Sequence, residues 1–261
     1  MGILDITGLC INFGGLKAVN RFCLSLEQGE LVGLIGPNGA GKTTVFNLLT
    51  GVYAPTAGDV IYTDPAGKRH PLKGLPTWRI ARLGITRTFQ NIRLFKRLSV
   101  IDNVRVSFHA TVKYRSLAAI LRLPAYWREE ARIEAEAMDL LRIFKLDGKR
   151  DELAGSLPYG EQRKLEIARA MAAKPQVLLL DEPAAGMNPQ ETQELCRLIT
   201  FIRDRFQLTI LLIEHDMSLV MQICERILVL DYGELIAAGL PAEIRSNPQV
   251  IKAYLGEEVT A

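Results

Sequence analysis

Residues 36–43, Gly36-Pro37-Asn38-Gly39-Ala40-Gly41-Lys42-Thr43, satisfy every fixed position of the pattern GxxxxGK(S/T). The apolar run at 30–35 leads into them and reads as a short strand ending at Gly36. Residues 42–50 then read as a helix, with Val45, Leu48 and Leu49 on one side and Gly51 as its stop. Strand, glycine-rich turn and helix in this order suit a phosphate. The glycines let backbone N–H groups turn inward, and the helix N-terminus adds partial positive charge. Lys42 would then reach the β- and γ-phosphates and Thr43 would hold Mg²⁺. Gly36, Pro37, Asn38, Gly39, Ala40, Gly41, Lys42, Thr43 and Thr44 are therefore the candidate nucleotide-binding residues.

A second apolar strand, residues 177–180, runs into Asp181-Glu182-Pro183. A buried parallel strand delivers the carboxylates at its C-terminal end to the ligand crevice of an α/β sheet. Asp181 is placed to bind Mg²⁺ through water, and Glu182 to orient and deprotonate an attacking water. The pair separates reaction classes. A small kinase uses an acceptor-binding domain and no glutamate base at a strand end, and a GTPase needs an Asn-Lys-x-Asp guanine reader, which this sequence lacks. Water as acceptor, and so nucleoside triphosphate hydrolysis, is the reading that remains.

The organisation agrees with one large domain carrying an insert, as 261 residues allow. The N-terminal third is strand-rich, with Phe22, Leu24 and Leu26 alternating with polar residues, and residues 58–63 form another strand. Residues 64–76 read as a surface loop rich in Pro and Gly. In the middle, Ile133, Ala137, Leu140, Leu141 and Phe144 recur at helical spacing after a break at Pro124. The last third alternates strands (177–180, 209–213) with a helix at 191–206, then closes with a hairpin-like turn at Asp231-Tyr232-Gly233. The domain reading is 1–92 and 166–261 for the two parts of the α/β core, with a helical subdomain at 93–165.

Composition excludes several classes. Apolar residues are 48% and charged residues 23%, a globular balance that argues against disorder. Lys and Arg exceed Asp and Glu by 32 to 29, too little to imply a nucleic-acid partner. Arg87, Arg93, Lys96 and Arg97 interleave with Phe89 and Phe95, a pattern that fits either a nucleic-acid face or a solvated, partner-docking face. Cys10, Cys23, Cys196 and Cys224 are scattered without a CxxC pair and read as reduced thiols of a cytosolic protein. No run approaches the ~20 apolar residues of a membrane span, no basic segment opens a signal peptide, and Ile6 breaks a myristoylation signal. Membrane association is expected through a partner.

Five further segments carry a resemblance. Thr88-Phe89-Gln90 looks like a Q-loop, and Leu157-Pro158-Tyr159-Gly160-Glu161-Gln162 like the signature motif usually written LSGGQ. Ala185-Gly186-Met187-Asn188-Pro189 looks like a D-loop, and Ile213-Glu214-His215-Asp216 like an H-loop. Phe13 stands where an aromatic residue stacks on adenine. In this order, and over essentially the whole chain, they resemble the ATP-binding cassette (ABC) ATPases of membrane transporters. The resemblance implies a P-loop NTPase fold with a mostly parallel core sheet, an N-terminal antiparallel β subdomain and an inserted helical subdomain. It implies ATP and Mg²⁺ as ligands, with Gln90 contacting Mg²⁺ or the attacking water and His215 the γ-phosphate. Tyr159, Gly160 and Glu161 would meet a nucleotide bound by the opposite subunit, so that a head-to-tail dimer completes each site.

Arg87-Thr88-Phe89-Gln90, Leu165-Glu166-Ile167-Ala168-Arg169, Glu182-Pro183-Ala184-Ala185-Gly186 and Ala253-Tyr254-Leu255-Gly256 resemble the subgroup that serves branched-chain amino acid importers (LivG-type). Urea, amide and lipopolysaccharide transport ATPases share several of them. The implied partners are a second ATPase subunit (LivF-type, or a second copy), two transmembrane permease subunits and an extracytoplasmic solute-binding protein. The implied location is the cytoplasmic face of the membrane. A soluble ABC protein of DNA repair or translation is the rival, as is a nucleotide-binding module without turnover. Two positions depart from the family pattern: Pro158 replaces the usual Ser of the signature, with Tyr159 in place of its next Gly, and Asn188 replaces the usual Asp of the D-loop. Proline removes a hydroxyl and an N–H donor, so the composite site built on this signature is expected to be the weaker of two.

Overall fold

The computed structural model describes residues 2–112 and 119–255. The chain divides into two compact units, one of residues 1–87 with 176–261 and the other of residues 88–175.

The first unit holds two sheets. Strands β1 (Leu4–Phe13), β2 (Leu16–Leu26), β4 (Ala57–Thr63) and β5 (Arg69–Pro71) form one, in the order β2-β1-β4-β5, with antiparallel pairing throughout. The alternation read in β2 is real: Phe22, Leu24 and Leu26 are buried and the residues between them are exposed. The other sheet contains β3 (Leu31–Ile35), β6 (Ile85–Arg87), β7 (Val177–Asp181), β8 (Thr209–Ile213), β9 (Arg226–Asp231) and β10 (Glu234–Gly239), ordered β10-β9-β3-β8-β7-β6. All its pairings are parallel except the β9–β10 hairpin. Every residue of β3, β7 and β8 is buried, as parallel strands covered on both faces require.

Helix α1 (Lys42–Leu49) buries Val45, Phe46, Leu48 and Leu49 in a core shared by both sheets, with Leu9, Phe22, Leu34, Leu179 and Leu211. Around the sheets run α2 (Thr77–Leu83), α6 (Pro189–Phe206), α7 (Met217–Ile223), α8 (Pro241–Ser246) and α9 (Pro248–Leu255). The segment read as a loop at 64–76 contains a strand. Asp64 Oδ1 accepts the Ala66 and Lys68 N–H groups, and that turn returns Arg69–Pro71 to pair with β4, His70 opposite Tyr62.

The second unit is helical: α3 (Val100–Arg105), α4 (Pro124–Ile143) and α5 (Tyr159–Ala172). Pro124 is the first residue of α4, where its missing N–H costs nothing. Ile133, Ala137, Leu140 and Leu141 form the buried stripe of that helix. Residue 165, taken from the sequence as the end of the insert, falls inside α5, which runs unbroken to Ala172.

Candidate active site

The loop at Gly36 is shaped by backbone that only glycine tolerates. Gly36 has φ 149°, and a Cβ there would collide with the Leu230 carbonyl oxygen on β9. Gly39 (φ 83°) and Gly41 (φ 102°) continue the left-handed turns, and Gly41 caps α1 with no side-chain hydrogen bond. The first turn of α1 therefore presents N–H groups that no capping side chain takes, the donor set a phosphate needs. Lys42 is buried, and its ammonium donates to the Gly36 and Pro37 carbonyls at 2.7 and 2.9 Å. Burial pushes its pKa down, while the Glu182 and Asp181 carboxylates push it up. Thr43 is exposed in the first turn of α1 and Thr44 half-buried.

Asp181 closes β7 opposite Ile213 of β8. Glu182 follows with φ 47°, a left-handed conformation uncommon outside glycine, which turns the chain out of the strand. Its carboxylate Oε1 lies 2.7 Å from His215 Nε2. His215 is exposed and Glu182 is not, so the acid is held from the protein side while the imidazole faces solvent. Asp181, Glu182, His215 and Lys42 all belong to the first unit.

Gln90 and the signature residues Tyr159, Gly160 and Glu161 belong to the second unit. There Arg163, fully buried, donates to the Phe89 and Gln90 carbonyls at 2.7 and 2.8 Å and pairs with Glu166 at 2.8 Å. The backbone of the Q-loop is thus held by the helix whose first turn carries the signature residues. Pro158 is the N-cap of that helix. Asn188 is the N-cap of α6, in a reciprocal capping box with Glu191. An Asn accepts the cap hydrogen bond as well as an Asp does.

Phe13 ends β1 exposed, with its ring edge-on to Tyr53 at a centroid distance of 5.2 Å. Arg87 departs from the solvated face expected for it: its guanidinium is buried against Asp181. Arg93, by contrast, stacks on Phe89 at 3.9 Å. The sequence reading passed over Arg87, Arg163 and Glu214 as site residues. The available signal was a charged residue bordering an apolar strand or helix stripe, where burial demands a partner.

The ABC transporter family matches residues 19–185, and the branched-chain amino acid ATP-binding cassette transporter family matches residues 234–260. The high-affinity branched-chain amino acid transport ATP-binding protein LivG of Salmonella typhimurium is 50% identical over 98% of both chains. BraF of Pseudomonas aeruginosa, which carries the same description, is 49% identical over 98% of both. The lipopolysaccharide export system ATP-binding protein LptB of Escherichia coli is 37% identical over 99% of both. Among solved structures, an ATP-binding cassette of an ABC transporter in its ADP conformation superposes with a TM-score of 0.83 at 28% identity, covering 98% of this chain and all of that one. With its nucleotide loop, its acidic strand end and its helical insert in the same order, this chain belongs to the ABC transporter family as one of its ATP-binding ATPase cassettes.

Proposed function

We propose that the chain is the ATP-hydrolysing, energy-coupling subunit of an importer for branched-chain amino acids (leucine, isoleucine, valine). The observation that carries the hydrolytic reading is the 2.7 Å contact between Glu182 and His215, in the unit that also holds Lys42. The amino-acid class is supported by the match of residues 234–260 and by the LivG and BraF relatives, which stand well above LptB in identity.

In this reading Phe13 stacks on adenine, the N–H groups of residues 39–44 and the Lys42 ammonium bind the phosphates, and Glu182 takes a proton from the attacking water. His215 orients the Glu182 carboxylate through their hydrogen bond and meets the γ-phosphate. Thr43 and Asp181 offer oxygen ligands and would hold Mg²⁺, which would supply charge neutralisation at the phosphates when bound, and the Q-loop resemblance gives Gln90 a contact to Mg²⁺ or the attacking water. Tyr159, Gly160 and Glu161 of one ATPase subunit complete the nucleotide site of the other. The chain works at the cytoplasmic face of the membrane with a second ATPase, two permeases and a solute-binding protein. No described helix is long and apolar enough to cross a membrane.

The test is Glu182→Gln. Loss of a general base costs about 10²–10⁴ in rate, with ATP binding retained. Turnover equal to the parent would overturn the assignment. With ATP and Mg²⁺ added to this variant, the mass in solution separates two assemblies. A nucleotide-dependent dimer means the chain closes on itself; a persistent ATP-bound monomer means a second, different ATPase completes the site. In the assembled transporter, Pro158→Ser should raise ATPase activity if the composite site on this signature is the weaker one, and unchanged activity counts against that.

A further inference from the structure

Glu214 stands at the end of β8 between Ile213 and His215, with 3% of its surface exposed. Its carboxylate takes N–H donors from two loops. Oε1 accepts from Ala184 N at 2.7 Å, and Oε2 from His215 N at 3.2 Å. The Asp216 N–H also donates to it. A buried carboxylate is costly and would be cheaper as an apolar residue unless its hydrogen bonds serve a purpose.

Geometry supplies that purpose. The parallel ladder between β7 and β8 runs to Asp181 opposite Ile213, and its last backbone rung is Glu182 N–H to the Ile213 carbonyl, 2.9 Å. At Glu182 the chain leaves the strand with φ 47°, so no further backbone rung can follow in register. The Glu214 side chain makes the next one, to Ala184. The same carboxylate also fixes the backbone of His215, whose imidazole touches Glu182.

We propose that Glu214 is a positioning residue for ATP hydrolysis, its carboxylate tying the segment after Glu182 to the backbone of His215 and so holding the Glu182–His215 contact. The inference rests on the assignment of Glu182 and His215 as the hydrolytic pair. Glu214, buried, acts through the backbone of these two segments. Because the segment from Ala184 continues to Asn188 and α6, the same tie also joins the D-loop to the H-loop.

Steady-state hydrolysis of Mg-ATP by the assembled transporter tests this with Glu214→Gln, His215→Ala and the double variant of this chain. The amide keeps one acceptor but sets an NH₂ group against a backbone N–H. Losing a hydrogen bond to a charged group should lower kcat about tenfold, with KM for ATP within about twofold. In the His215→Ala background the same change should cost less than about twofold more, since both act through one contact. Additive losses, a parental kcat for Glu214→Gln, or a rise in KM matching the fall in kcat would overturn the positioning role. An unchanged kcat for His215→Ala alone would instead remove the reading on which it rests. Should Glu214→Gln not fold, Glu214→Asp keeps the charge but is one methylene too short to reach both N–H groups, and the same fall in kcat is expected.

Discussion

The Arg87 guanidinium meets the Asp181 carboxylate at 2.6 Å, with the two side chains only 5% and 2% exposed. Arg87 ends β6 and Asp181 ends β7, adjacent strands paired in parallel. The second arm of the guanidinium donates to Asn47 Oδ1 of α1, also at 2.6 Å, and its face lies over the Phe46 ring. One buried cation therefore fixes the acidic strand end against the helix that follows the phosphate loop. It also provides a counter-charge for a buried carboxylate.

Removing that cation should be expensive. Arg87→Ala breaks the buried ion pair with Asp181, and breaking a buried pair this way costs about 3–5 kcal/mol. Urea denaturation followed by circular dichroism should show a loss of unfolding free energy of that size. Asn47→Ala, which removes one arm's acceptor but no charge, should cost about 1–3 kcal/mol. Equal losses for the two variants would refute the priority given to the ion pair.

The loop glycines differ in what they require. A Cβ at Gly36 would meet the Leu230 carbonyl, whereas one at Gly39 meets nothing within 4 Å. Both have positive φ, so each alanine carries backbone strain of about 1–2 kcal/mol. Gly36→Ala must in addition push β9 away from the loop. Gly39→Ala should therefore fold with a Tm lowered by a few degrees, about 2–4 °C per kcal/mol at this size. Gly36→Ala should lose soluble yield or bind ATP more weakly by about 100-fold or more. Calorimetric titration of both variants decides it, and the reverse order would contradict the geometry.

Phe13 is 44% exposed and forms a T-shaped pair with Tyr53, with 73° between the ring planes. Stacking of a base on an aromatic ring is worth about 1–3 kcal/mol. Phe13→Ala should raise KM for ATP about tenfold with kcat little changed, since no reacting atom is near. Phe13→Trp should restore KM. A fall in kcat at constant KM would exclude an adenine-stacking role.

Much of the molecule was legible because its signals are local. The apolar run before Gly36, the run before Asp181 and the stripe Ile133–Ala137–Leu140–Leu141 each reveal their element without tertiary help. The phosphate-loop residues and Glu182 follow from their place at the ends of such runs. Other features depend on pairing. β6 has three residues and its burial is set by β7, so nothing in Ile85–Arg87 read alone announces a strand or sends Arg87 inward. β5 exists because Asp64 turns the chain back on β4. Glu214 is one charge at the end of an apolar strand, and only the fold brings Ala184 to it.

The thiols give a prediction with a defined sign in pH. Cys23 is exposed, while Cys196 and Cys224 are buried, and burial pushes their pKa values up to about 11 and about 12 from an ordinary 9.0. A thiolate is the reactive form, so iodoacetamide at pH 8 should modify Cys23 first and leave Cys196 and Cys224 intact until the fold opens. Intact-mass and peptide mass spectrometry should show this order in buffer and lose it in urea. The same shifts act on stability. From about pH 9 upward the unfolded chain releases thiol protons that the native state retains, so stability is whole below that range and declines as pH rises toward 11–12. Cys224→Ala should start less stable at pH 7, because it leaves a small cavity, yet lose less on going to pH 10.5 than the parent does. Urea titrations at both pH values measure the two slopes, and parallel declines would mean that the Cys224 thiol does not hold its proton as its burial requires.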